Sequence, residues 1–139
     1  MADCIILNRQ KPALKLLTPE NGLKSGYTVK YNGSMSGNKL ISSNGFYISP
    51  AISMGRFRSI TFIGRVTNST NGTAERFRAD KSYANVTDIS KTAAAETQLE
   101  ITGLIYFGIE VDVSSLSGNY YIGVPSVGNS LEITSIILK

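Results

Sequence analysis

Apolar and polar residues alternate along most of this chain with a period of two, and clusters of turn residues separate the runs. That pattern predicts strands, because successive side chains of a strand point to opposite faces. From 26 to 31, Tyr27, Val29 and Tyr31 share one face and Thr28 and Lys30 the other, before Asn32-Gly33 supplies a turn. A second Asn-Gly at 44–45 precedes Phe46-Tyr47-Ile48-Ser49, which Pro50 is expected to end. The longest regular run is 57–67. There Arg58, Ile60, Phe62, Gly64 and Val66 are assigned to the core face, and Phe57, Ser59, Thr61, Ile63, Arg65 and Thr67 to the other.

After a polar turn over 68–73, the stretch 74–91 has no clear period, although Phe77 and Tyr83 need burial. Three alanines after Lys91-Thr92 make 90–96 the best place for a helical turn or two. Further on, Thr97, Leu99 and Ile101 read as one face of a strand, as do Ile105, Phe107, Ile109, Val111 and Val113 of the next. Tyr120, Ile122 and Val124 repeat the pattern. In the last strand Leu131 and Ile133 have one parity, Ile136 and Leu138 the other. A slip of one residue turns every side chain to the opposite face, so a bulge or bend near Ser135 is expected.

About eight short strands at near-regular spacing predict an all-β fold, an antiparallel jelly-roll-like β-sandwich. Pro12 and Pro19 interrupt the stretch ahead of them, and Asn21-Gly22 marks a turn in it. Residues 1–25 are therefore assigned to an N-terminal arm or edge strand and 26–139 to the sandwich. Within the arm, Ala13-Leu14-Lys15-Leu16-Leu17 suits a short strand or a helical turn.

The 139 residues suffice for one domain with a core of its own. The single cysteine, Cys4, lies in an apolar run and reads as a small buried hydrophobe. No apolar stretch reaches the length of a membrane helix, and no basic leader precedes Cys4-Ile5-Ile6-Leu7, so neither a membrane nor a secretory pathway is expected. Charge is uneven along the chain. Residues 1–91 hold 13 of the 14 Lys and Arg against 5 acids, and residues 92–139 hold 1 Lys against 5 acids. Either the two ends attract head to tail in an assembly, or the fold interleaves them.

Catalytic chemistry is thin. The chain has no histidine, which removes Ser-His-Asp and Cys-His arrangements and imidazole zinc sites, and one cysteine cannot replace them. No catalytic residue, cofactor or metal is expected. Glu110 and Asp112 share one face of one strand, whereas a glycosidase needs carboxylates flanking the scissile bond from two sides. A calcium pair at the same two residues would need further ligands.

The aromatic set is more informative. Tyrosine supplies 7 of the 12 aromatics and tryptophan none. Tyr47, Tyr106 and Tyr121 fall on the outward phase of their strands, where a flat ring with a polar tip suits a sugar face or a protein contact. Together with Arg65 they form the expected contact surface. Arg56, Arg58, Arg65, Arg76 and Arg78, with Phe57 and Phe77 interleaved, could instead make a basic stacking surface for nucleic acid. The acidic C-terminal third works against that.

The closing stretch, Gly118-Asn119-Tyr120-Tyr121-Ile122-Gly123-Val124 through Ser130-Leu131-Glu132-Ile133-Thr134-Ser135-Ile136-Ile137-Leu138-Lys139, resembles the last hairpin of many jelly-roll modules. These include carbohydrate-binding domains and the β-sandwich proteins of bacteriophage tails, fibres and capsid decorations. The resemblance covers about the last 40 residues. Carbohydrate-binding modules usually offer tryptophan platforms, which are missing here. A short chain with a proline-broken arm and no catalytic set fits a structural or adhesive virion protein, located in the virion and assembling with itself or with other virion subunits. The alternative is a carbohydrate-binding sandwich module whose partner is a glycan, such as one on a cell surface.

Overall fold

The computed structural model describes residues 12–83 and 85–139, which form ten strands and no α-helix. They are β1 Leu14–Thr18, β2 Gly22–Leu23, β3 Thr28–Ser36, β4 Lys39–Ser53, β5 Ser59–Asn68, β6 Ala74–Asp80, β7 Ala95–Glu100, β8 Tyr106–Asp112, β9 Asn119–Val124 and β10 Ser130–Leu138. Every pairing is antiparallel. Cys4 and the apolar run around it lie outside the described residues, as does the start of the proposed arm.

Two layers face each other as a jelly-roll sandwich. One runs β8–β5–β10, and β10 then pairs with the first half of β4 and, further along, with β1. The other runs β7–β6–β9 to the second half of β4. β4 thus serves both layers, and β3 pairs along most of its length. It turns between them at Asn44 and Gly45, both with positive φ (66° and 96°). An Asn-Gly pair tolerates that backbone with little strain, so a dipeptide that looks like a hairpin turn here bends a continuous strand.

The core forms where the inward phases meet. Phe62 of β5 and Phe107 of β8 come from one layer and Phe77 of β6 from the other, with ring centroids 5.1 and 5.2 Å from Phe77. Ile60, Phe62, Val66, Val111, Ile122, Val124, Leu131, Ile133, Ile136 and Leu138 are buried, as their alternation predicts. The change of phase in β10 is a bulge: register shifts between Ile133 and Ser135, and beyond it β10 exchanges β4 for β1 as its neighbour.

Of the two readings of 13–17 the strand holds: β1 spans Leu14–Thr18, with Leu16 and Leu17 fully buried. Several other expectations need correction. Pro50 does not end β4, because a register shift between Ile48 and Ile52 absorbs it. Phe57 is buried, not outward, because a turn at Met54–Phe57, with φ of 71° at Arg56, breaks the alternation before β5 begins. No helical turn forms over 90–96. The Ser90 N–H and hydroxyl donate to Asp88 Oδ1, which holds a turn, and Ala95 and Glu96 enter β7 opposite Ala79 and Arg78.

Candidate ligand-binding face

On the outer face of the β8–β5–β10–β4 layer the registers align one residue from each strand. Ser34 of β3 opposes Ile41, Ile41 opposes Glu132, Glu132 opposes Arg65, and Arg65 opposes Tyr106. Five strands at about 4.8 Å spacing make this row about 19 Å long. Tyr106 ends it on β8, 80% exposed. Gly108, two residues along on the same face, has open space where a side chain would stand, so nothing projects beside the ring there.

Arg65 grips Glu132 with two hydrogen bonds, Nε to Oε1 at 3.2 Å and Nη2 to Oε2 at 3.4 Å. Lys39 Nζ lies 3.5 Å from the same Oε1. The hydrogen bonds from Arg65 hold the Glu132 carboxyl below its ordinary pKa, and Glu132 in turn raises that of Arg65. Lys39, Ile63, Arg65, Tyr106, Glu132 and Thr134 line a shallow depression of about 410 Å³. A second, of about 350 Å³, continues across Asn32, Ser34, Ile41, Ser43, Thr67 and Ser130.

Tyr47 and Tyr121 are elsewhere. They occupy the outer face of the other layer, where residues 81–83 and 85–94 fold across the strands. Tyr83 stacks on Tyr47 at 5.6 Å and 9°, and Tyr121 meets Tyr47 edge-on at 5.8 Å. Gly123 makes this possible, since a Cβ there would stand 2.8 Å from the Tyr83 ring and 3.0 Å from Tyr47 Cβ. Beneath the same segment Arg78 is buried, donating from Nε to Glu96 Oε1 and from Nη2 to the Ile89 carbonyl at 3.1 Å. Arg76 reaches Glu96 as well, at 3.5 Å.

The four residues expected to form one contact surface therefore divide between opposite faces. Arg65 and Tyr106 are neighbours in register, whereas Tyr47 and Tyr121 build an aromatic cluster under a loop. The arginines are likewise divided, with Arg65 on one face and Arg76 and Arg78 on the other. Ion pairs of Lys39 and Arg65 with Glu132, and of Arg76 and Arg78 with Glu96, join the basic part of the chain to the acidic part, so strand pairing interleaves the charges.

Lys39, Ile63 and Glu132 complete the site and were not singled out from the sequence. The outward phase of Ile63 and Glu132 is visible in their alternation. That Glu132 stands beside Arg65, 67 residues away, depends on the pairing of β5 with β10. Glu110 and Asp112 line a larger depression of about 780 Å³ with Arg58, Ser59, Ser114 and Lys139. It has no aromatic platform, and Asp112 Oδ1 is engaged by the Ser114 N–H and hydroxyl. Those bonds hold the Asp112 carboxyl below its usual range. Among the described residues no three Asp, Glu or Cys side chains gather as a metal would require, and no helix is long and apolar enough to cross a membrane.

No family model and no curated protein matches the sequence. Solved structures do match the fold. A mutant of a family 29 carbohydrate-binding module is similar over 91% of this chain and 89% of its own, at 12% identity and a TM-score of 0.59. A family 29 module complexed with cellulohexaose is similar over 94% and 92%, at 15% identity and 0.53. The adhesin domain of Lys-gingipain from Porphyromonas gingivalis W83 is similar over 93% and 98%, at 14% identity and 0.53.

Proposed function

We propose that this domain binds carbohydrate without catalysis, through the outer face that carries Tyr106, Arg65, Glu132 and Lys39. One observation carries the reading: an almost fully exposed tyrosine ring stands in register with a fixed arginine–glutamate pair on a flat sheet. An aromatic ring offers its face to the C–H groups of a sugar. The guanidinium, ammonium and carboxylate supply the donors and acceptors that sugar hydroxyls need. Both halves of that chemistry are held on strands, so little ordering is left to be done when a ligand arrives.

The fold supports the same reading, being shared with carbohydrate-binding modules, one of them solved with cellulohexaose. The absence of histidine from the sequence fits binding without turnover. The virion and self-assembly expectations are not carried forward. The fold similarities favour the carbohydrate alternative.

The test is affinity electrophoresis of the protein through gels containing single polysaccharides, neutral and acidic, with Tyr106→Ala alongside. Loss of one stacking contact, worth about 0.5–1.5 kcal/mol, should weaken retention by up to about tenfold on whichever polymer binds. Tyr106 is exposed, so melting should not change. Undiminished retention of Tyr106→Ala would place the site elsewhere.

A further inference from the structure

We infer that the preferred ligand is an anionic polysaccharide, such as one built of uronic acid, lying across the strands; this rests on the carbohydrate reading above. Charges on that face do not balance. The 410 Å³ depression holds two cations, Lys39 and Arg65, and one anion, Glu132. Arg65 already occupies both carboxylate oxygens. Lys39 sits at the longer distance of 3.5 Å with its side chain 54% exposed, so its ammonium has donors left over. The guanidinium spends two of its N–H groups on Glu132, and the Arg65 side chain as a whole is 44% exposed.

Neighbouring charges do not cancel the surplus. The next charged row joins Glu110, Thr61, Ile137 and Lys15, and its two charges oppose each other at its ends. Glu110 is four residues along β8 from Tyr106, about 14 Å, which exceeds the screening length of about 8 Å at physiological salt. The positive balance of the depression is therefore local. Its neighbour at Ser34, Ser43, Thr67 and Ser130 is uncharged and rich in hydroxyls. The row thus offers a ring platform at one end, a cationic centre and a hydroxyl-lined end. A chain of several sugar rings with a carboxylate at its middle matches that order.

A nucleic acid fits less well. Single-stranded nucleic acid stacks successive bases on a series of aromatic rings, whereas this row carries one ring, that of Tyr106.

The experiment compares polygalacturonate, the same polymer after carboxyl reduction, cellohexaose and a single-stranded oligonucleotide, by titration calorimetry at low and physiological salt. The polyuronate should bind about tenfold more tightly than its reduced form, as one charge-assisted hydrogen bond allows, and should weaken as salt rises. Lys39→Gln should remove most of that advantage, lowering affinity for the polyuronate several-fold more than affinity for any neutral chain. Equal binding of the polyuronate and its reduced form would overturn the anionic preference and leave the carbohydrate reading standing. Binding of neither, and of no neutral chain, would overturn the carbohydrate reading itself. Oligonucleotide binding as tight as the polyuronate would overturn the assignment to a glycan.

Discussion

Gly64 lies on the inward face of β5, directly beneath the Arg65–Glu132 pair and opposite Ile133 and Phe107. An added Cβ would stand 2.3 Å from the Glu132 carbonyl oxygen, 3.0 Å from Ile133 Cα and 3.0 Å from the end of the Phe107 ring. Two of those atoms belong to the backbone of β10 and cannot rotate away. Gly64→Ala gains something, about 0.4–1 kcal/mol from a stiffer unfolded chain and about 0.8 kcal/mol from a buried methyl group. Against this, β5 and β10 must separate by roughly 1 Å, which strains ladder hydrogen bonds worth about 1 kcal/mol each and unsettles the packing of Phe107 on Phe77. Overpacking of this kind costs about 1–3 kcal/mol net.

The natural control is Gly108→Ala on the adjoining strand, where a Cβ meets nothing within 4 Å. It should be neutral or stabilising by up to about 1 kcal/mol. Urea unfolding followed by tyrosine fluorescence suits a chain with seven tyrosines and no tryptophan. Thermal melts should put Gly64→Ala about 4–12 °C below the parent and Gly108→Ala at or above it. Glu132 shares the displaced backbone, so Gly64→Ala should also weaken the Arg65–Glu132 pair and ligand binding. Equal stability of the two variants would refute the claim that packing, and not β propensity, requires glycine at 64.

Other outcomes follow from the buried polar groups. Arg78→Met removes the bond to the Ile89 carbonyl and one of the two cations on Glu96, so residues 81–94 should loosen. We expect a loss of about 2–4 kcal/mol and faster amide exchange or proteolysis confined to that segment; unchanged exchange there would remove Arg78 as its anchor. Glu75 is buried, and burial raises its pKa above the ordinary 4.5 although the Ser126 hydroxyl donates to Oε1. Its ionised form is therefore disfavoured in the fold, so this group's contribution is best at acid pH and declines as pH rises above 4.5 through the raised value. Glu75→Gln should accordingly be more stable than the parent at pH 7, with the difference vanishing below about pH 4. A difference independent of pH, measured by urea unfolding across that range, would contradict the linkage. Glu132 has the opposite sign. Its lowered pKa stabilises the fold above the ordinary 4.5, and that contribution disappears on acidification through the lowered value, so Glu132→Gln should match the parent at low pH and fall behind it at neutral pH.

Local pattern determined the layers of this protein. Alternation in β5, β8, β9 and β10 named the buried face of each strand, because a period of two leaves only two choices and water selects the polar one. The change of parity between Ile133 and Ile136 even located the bulge at which β10 exchanges neighbours. Local pattern failed where tertiary contacts decide. Residues 81–83 and 85–94 form no strand; they close over Arg78 and Tyr47, and only that closure explains a buried arginine and a half-buried tyrosine on an outward phase. Asn44-Gly45 looks like a hairpin turn, yet it bends one strand between two layers, because the partners on either side continue past it. The candidate site shows the same division. That Arg65 and Tyr106 point outward follows from parity, but their adjacency, and the addition of Glu132 and Lys39, requires knowing which strands pair and in which register. Pairing between strands tens of residues apart is settled by the packing of both faces together, and no single stretch of sequence carries that information.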